Sequence, residues 1–262
     1  MSIFSQDTQL EALSEGLYRA QVSSNWSIMS APNGGYLMAL LGEAMSRYAN
    51  LAKPVQVTVN YSAKTQENAP LEIEVQRFAQ SRQFDRLQAT ARQGDRVVLQ
   101  AFGTFMADYE QEVNSQEKLL NLAPKEDCRT RAGMPGLTVF DQVEMRIDPA
   151  TAGWTKGDTT DVSEIYGWMR IPSLSEWSPT SLMMACDTCP PSIFVSHGAL
   201  GWVPTIEMSV HIKNIPKSEW LKARFHSKYL GKTLLQEDGE LWDEDDNLVA
   251  VSRQLAQFIP AQ

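Results

Sequence analysis

Val55-Gln56-Val57-Thr58-Val59-Asn60-Tyr61 and Thr205-Ile206-Glu207-Met208-Ser209-Val210-His211-Ile212 decide how this chain of 262 residues folds. In the first stretch Val55, Val57, Val59 and Tyr61 alternate with Gln56, Thr58 and Asn60. In the second, Ile206, Met208, Val210 and Ile212 alternate with Thr205, Glu207, Ser209 and His211. A period of two predicts strands buried on one face. The stretches superpose with an offset of 208 − 57 = 151. The same offset carries the turn Gly94-Asp95-Arg96 and the apolar run 97–102 onto Asp245-Asp246-Asn247 and 248–253. Residues 71–75 match 221–225 at an offset of 150, so one loop has changed by a residue. The chain is a duplication.

Each half carries an apolar helix ahead of its strands. In the first half it covers 36–45, opened by Asn33-Gly34-Gly35 with Asn33 as N-cap. It is apolar on most sides, which predicts burial rather than an amphipathic surface helix. In the second half it covers about 178–186, opened by Ser178-Pro179 and stopped before Pro190-Pro191. The repeating unit is therefore a leading strand, a buried helix and an antiparallel meander of about four strands, an α+β arrangement. The expected division is 1–112 for the first unit, 113–136 for a polar connector with one short helix, and 137–262 for the second.

Composition narrows the function by exclusion. The chain has 23 Lys+Arg against 32 Asp+Glu, a net charge of −9, and no basic run, so its mean field repels a nucleic-acid backbone. A local basic patch would still accommodate one phosphorylated ligand. The longest apolar runs are a few residues, such as Met38-Ala39-Leu40-Leu41, far short of the roughly 20 that a membrane span requires. The N-terminal MSIFSQDTQLEALSEG lacks a basic segment followed by an apolar one, so no secretory leader is expected. Three cysteines, Cys128, Cys186 and Cys189, are too few for a disulfide framework, and a reducing cytoplasm is the default.

Several chemistries lack their motifs. No Gly-x-Ser-x-Gly nucleophile elbow occurs, and no Gly-x-Gly-x-x-Gly follows a strand. Gly231-Lys232-Thr233 imitates the end of a phosphate loop, but His226 stands where its first glycine belongs. The three histidines, His197, His211 and His226, are far apart in the sequence, and no zinc helix is present. Cys186-Asp187-Thr188-Cys189 lacks a second cysteine pair and reads as two incidental thiols. Asp243, Asp245 and Asn247 imitate a calcium loop, yet Leu248 and Gln254 stand where glycine and glutamate are required. The seven carboxylates of the 237–247 stretch read instead as a solvated hairpin turn.

Three markers in order carry a resemblance: Asn33-Gly34-Gly35-Tyr36-Leu37 opening the first helix; 204–212 followed by Glu219-Trp220-Leu221; and 237–243 leading to 248–254. Across about 15–259 the chain resembles the double hot-dog acyl-CoA thioesterases related to thioesterase II. The resemblance implies two hot-dog units fused with their sheets side by side and the long helices inside. It implies hydrolysis of an acyl-CoA without a covalent serine, a metal or a cofactor, by water held between an Asp, a Thr and a Gln. These fall on Asp187, Thr205 and Gln254. A hot-dog sheet leaves edges that need a partner or cover, so a homodimer or larger homo-oligomer is expected.

A carboxylate in reach of water serves as general base, the more so when burial raises its pKa. Gly34, Gly35 and Tyr36 offer backbone N–H groups at a helix start for the charge developing on the thioester oxygen. Counting back by 151, Thr205 falls on Pro54 and Gln254 on Gly103, so one working site per chain is expected. Set against the resemblance are local readings: Asp187 as a turn cap before Pro190, Thr205 and Gln254 as ordinary strand residues, and Gly34-Gly35 as a plain turn. Glu43, on the first helix, is the alternative carboxylate. Two other functions stay open: a non-catalytic acyl-CoA-binding protein, and an enoyl-CoA hydratase-like lyase. The latter's Asp-x4-His dyad is missing, since Ser192, Ile206 and Leu221 precede the histidines by five.

Overall fold

The computed structural model describes residues 1–109, 121–130, 133, 135–199 and 201–260. The first half runs α1 (Ile3–Asp7), β1 (Leu10–Ser14), β2 (Leu17–Gln21), α2 (Gly34–Tyr48), β3 (Lys53–Tyr61), β4 (Pro70–Gln80), β5 (Asp85–Gln93) and β6 (Arg96–Met106). After the connector come β7 (Arg129–Thr130), α3 (Val139–Gln142), β8 (Glu144–Ile147), β9 (Glu164–Arg170), α4 (Pro179–Ala185), α5 (Ile193–His197), β10 (Thr205–Ile212), β11 (Leu221–Leu230), β12 (Leu234–Trp242) and β13 (Leu248–Gln257).

These strands form one 13-stranded sheet in the order β1-β2-β4-β5-β6-β3-β10-β13-β12-β11-β9-β8-β7. Apart from β7 at one edge the order is a palindrome, each strand of the first half mirrored by its repeat partner. The halves join through antiparallel β3 and β10, with Thr58 opposite Ser209 and their hydroxyls 2.8 Å apart. Those two residues are 151 apart in sequence, so a pseudo-two-fold axis passes between them. Instead of a single leading strand, each unit begins with a hairpin, β1-β2 or β8-β9. The result is an α+β double hot-dog fold, its helices packed against the inner face of the sheet.

The duplication is preserved in its irregularities. β3 shifts register between Pro54 and Gln56 against β6, and β10 shifts between Thr205 and Glu207 against β13. Both bulges fall at the same repeat position. Alternation alone places Ile206 inside with Met208, Val210 and Ile212. The bulge breaks the alternation, so Ile206 is exposed while the other three are buried. The register also locates the changed loop: the β12–β13 turn is one residue longer than the β5–β6 turn, which restores the offset from 150 to 151.

Helix α2 is buried along most of its length, including Leu37, Met38, Leu40, Leu41 and Met45. It begins at Gly34, because Asn33 Oδ1 accepts the Tyr36 N–H at 3.0 Å. Its close partner is α4: a methyl group on Gly42 would lie 2.6 Å from Met183 Sδ. Glu43 stays on the wet edge of α2, paired with Arg47 at 2.9 Å. The expected end of the first unit at 112 lies outside the described residues, as do 113–120, 131, 132 and 134 of the connector expected to carry one short helix. Of the connector, Leu122, Ala123 and Cys128 pack with Trp168 and Trp220, and β7 extends the sheet.

Candidate active site

Two helix ends meet and place Asp187. Ser178 and Ser181 cap α4 reciprocally, with Pro179 in its first turn. After the C-cap Cys186, Thr188 Oγ1 donates to the Met184 carbonyl at 2.7 Å and closes the helix. Asp187 is thereby delivered to the N-terminus of α2. Its Oδ2 accepts the Gly35 N–H at 2.8 Å and Asn33 Nδ2 at 3.1 Å, while Asn33 Nδ2 also donates to the Asp187 carbonyl at 2.8 Å. Gly35 has to be glycine: a Cβ there would stand 2.8 Å from both Asp187 Cβ and the Met184 carbonyl oxygen.

Burial pushes the Asp187 carboxyl up to about 7, against the lowering effect of the Gly35 N–H and the Asn33 amide. The charge that acts on it is that of Glu237, a like charge that raises it further. Asp187 thus has the proton affinity of a base suited to neutral pH. Tyr61 closes the same corner, its hydroxyl donating to the Gly34 carbonyl at 2.8 Å. Burial first, and Asp187 next, hold that phenol well above its ordinary pKa, so it stays protonated.

Thr205 and Gln254 enter from β10 and β13. Thr205 Oγ1 donates to Gln254 Oε1 at 2.8 Å, and Gln254 Nε2 donates to Glu237 Oε1 at 2.8 Å. Glu237 Oε2 accepts the Ser192 N–H at 2.6 Å. Asp187, Thr205, Gln254 and Glu237 all line one cavity of about 500 Å³. Its remaining wall is mostly apolar, with Ile28, Met29, Leu37, Val203 and Trp202, and Lys64 as its basic residue. Thr65 also lines it, buried and with its hydroxyl unpartnered.

The three residues expected to hold water therefore share a cavity. Gly34 lines it as well, whereas Gly35 and Tyr36 do not. The Gly35 N–H is directed at Asp187, and the Tyr36 N–H is taken by the Asn33 cap. Tyr36 turns into the core instead, stacked on Trp26, its hydroxyl donating to the Asp7 carbonyl at 2.8 Å. Glu237 is the residue that the sequence reading missed by grouping it with a solvated acidic turn. The turn proper is 243–247, where Asp243 Oδ1 accepts the Asp245 and Asn247 N–H groups. Glu237 belongs to β12 and is 3% exposed. A signal was available: it shares the inward-facing alternation of Leu235, Gly239 and Leu241. Cys186 is buried, with its thiol pushed up by burial, and Cys189 lines the cavity wall; neither forms a disulfide. Among the described residues, no cluster of three His, Cys, Asp or Glu side chains could hold a metal.

A palindromic sheet closed on two packed helices, with its polar cluster at a helix N-terminus, defines a double hot-dog protein. The family model of the acyl-CoA thioesterase N-terminal domain matches residues 22–106, and that of the acyl-CoA thioesterase C-terminal domain matches 123–258. The chain belongs to the acyl-CoA thioesterase family. Among solved structures it is similar to a thioesterase II candidate of Thermobifida fusca YX (24% identity, TM-score 0.90, 99% of this chain and 98% of that one). A hot dog-fold protein of unknown function from Alicyclobacillus acidocaldarius is 22% identical, with TM-score 0.90 and both chains fully covered. The acyl-CoA thioesterase II TesB2 of Mycobacterium marinum is 16% identical, with TM-score 0.79 and 99% of each chain covered. No curated protein matches the chain.

Proposed function

We propose that the protein hydrolyses an acyl-CoA thioester to a free acid and CoA, using water activated by Asp187, Thr205 and Gln254. The observation that carries this reading is Asp187: a carboxylate on a cavity wall, with its pKa brought to about 7 by burial and held without a cation at a helix N-terminus. Such a group is costly to the fold and useful as a general base. Thr205 and Gln254, hydrogen-bonded to each other, supply the positioning that turns a bimolecular attack into an oriented one.

In the reaction, Asp187 takes a proton from water as the oxygen bonds to the thioester carbon. The tetrahedral intermediate then collapses, the carbon–sulfur bond breaks, and the sulfur leaves with the proton as CoA thiol. The developing oxyanion faces the Gly34–Gly35 end of α2, whose dipole favours negative charge. Lys64 at the cavity wall suits a phosphate-bearing leaving group.

The two units, 1–112 and 137–262 with connector 113–136, are proposed to act as one body with one site. A homodimer or larger homo-oligomer is part of the proposal, and Phe78 and Phe102, exposed and packed edge to face at 5.8 Å, offer it an apolar patch. A hydratase-like lyase finds no support here, because no histidine is among the residues lining the cavity. Release of CoA thiol across acyl-CoAs of increasing chain length tests the reading, with Asp187→Asn as control. Turnover of at least one substrate that collapses in the control is expected. Tight acyl-CoA binding without turnover would establish a binding protein instead.

A further inference from the structure

Glu237 is a buried carboxylate for which packing gives no reason. Among the described residues its partners are the Ser192 N–H and hydroxyl and the Gln254 amide rather than a cation. Burial and the neighbouring Asp238 both raise its pKa, whereas Ser192 and Gln254 lower it. A glutamine of the same shape would fill the space at a smaller desolvation cost. The corresponding position in the other half is Leu87: it stands opposite Gly103 on the sheet as Glu237 stands opposite Gln254. The fold accepts a leucine at this point, so the carboxylate is specific to the half that carries the polar cluster.

Hydrogen-bond direction supplies the reason. Gln254 presents its NH2 to Glu237, whose carboxylate oxygen accepts it. Its carbonyl oxygen then faces Thr205 and can only accept, so the Thr205 hydroxyl proton is committed to Gln254. What Thr205 offers the cavity is its lone pairs. Water that donates one hydrogen to Thr205 and the other to Asp187 keeps its own lone pair for the thioester carbon. We propose that Glu237 is a positioning residue that fixes the direction of the hydrogen-bond relay through Gln254 to Thr205, making Thr205 an acceptor toward the hydrolytic water. The proposal rests on the hydrolase reading above.

Glu237→Gln tests it, because the substitution reverses the relay without changing its shape. The Ser192 N–H keeps a carbonyl oxygen, the new NH2 meets Gln254, Gln254 turns over, and the Thr205 proton points into the cavity. The expected result is a fall in kcat of about 3–10-fold, the rate equivalent of one hydrogen bond, with KM little changed and Tm equal or higher. The acid limb of kcat/KM also moves to lower pH. Glu237 is the like charge acting on Asp187, and the other titratable groups around Asp187, namely Tyr61, Cys186 and Lys64, are unaltered. In a Thr205→Val background, Glu237→Gln has no further effect on kcat on the high-pH plateau. A folded Glu237→Gln enzyme with unchanged kcat and pH profile, or rate losses that multiply with those of Thr205→Val, overturns the proposal. The side-chain NH2 resonances of Gln254 test direction without turnover: they shift in Glu237→Gln if the relay reverses, and their staying fixed overturns it. Absence of turnover by the unsubstituted chain, with those resonances shifting, would instead count against the hydrolase reading alone.

Discussion

Helix α2 meets a carboxylate at each end, Asp85 fully buried and Asp187 half-buried at the cavity, and the two ends differ in how that charge is held. At its C-terminal end Asp85 accepts Arg77 Nε at 2.7 Å, Arg77 Nη2 at 3.0 Å and the Asn50 N–H at 2.7 Å. Burial alone would raise the Asp85 pKa, but the Arg77 and Asn50 hydrogen bonds outweigh it and hold it below the usual range. At the N-terminal end Asp187 has a favourable helix dipole and, among the described residues, no cation paired with it, and burial wins. The sheet follows the same division. Thr205, Gln254 and Glu237 line an open cavity, while their counterparts Pro54, Gly103 and Leu87 are apolar or without a side chain. Met45 occupies the room that Gly103 leaves, its Sδ 3.0 Å from where a Cβ would stand. One copy of the unit has been sealed for stability, and the other keeps a strained charge at an opening.

Substituting the charge at the open end has the largest expected effect. Asp187→Asn lowers CoA release by about 10²–10⁴-fold, the usual contribution of a general base. In the unsubstituted enzyme kcat/KM rises with pH through a value of about 7, and that limb vanishes with the carboxylate. Stability moves the other way. Between its unfolded pKa near 4 and its folded value of about 7, Asp187 binds more protons folded than unfolded, so stability declines as pH rises. Asp187→Asn lacks that decline. Its Tm should match the unsubstituted chain at pH 4 and exceed it at pH 8 by up to about 8–16 °C, since a carboxyl moved from near 4 to about 7 is worth up to about 4 kcal/mol. Equal Tm values at pH 8 would show that Asp187 is not destabilising.

At the sealed end the signs invert. Arg77→Met leaves Asp85 buried and unpaired and costs about 3 kcal/mol in denaturant unfolding at pH 7, with kcat of the folded fraction unchanged. Asp85 contributes stability above its unfolded pKa near 4, lost as pH falls through its lower folded value, so the deficit of the variant shrinks in acid. Next in size, Gly103→Gln puts one member of the polar trio into the sealed half. It should cost about 1–3 kcal/mol by overpacking against Met45 and confer no second activity. A gain in CoA release would break the comparison. The smallest effect belongs to Glu43→Gln, which removes an exposed pair with Arg47 on α2 and should cost about 0.2–0.5 kcal/mol without altering turnover.

The sequence by itself determined the duplication, the strand positions and the pairing of a polar half with an apolar one. Those properties are local, and a period of two along 55–61 or 205–212 needs no knowledge of what lies across the sheet. It also pointed to Asp187, Thr205 and Gln254 through motif order, and the fold brings all three to one cavity. Tertiary structure decided the rest. The bulge at Ile206 depends on the register between β10 and β13, and it turns Ile206 outward from the face that alternation had assigned to it. The Tyr36 N–H was spoken for by a cap three residues earlier, so a helix start offered fewer open donors than its residue types suggest. Glu237 looked like one acid among seven until β12 carried it inside. Whether a carboxylate is ionised, paired or poised depends on desolvation and on charges brought together from distant parts of the chain. Arg77 beside Asp85 and Glu237 near Asp187 are placed by the packing of helices on a sheet, which is why two aspartates packed at opposite ends of the same helix have opposite electrostatics.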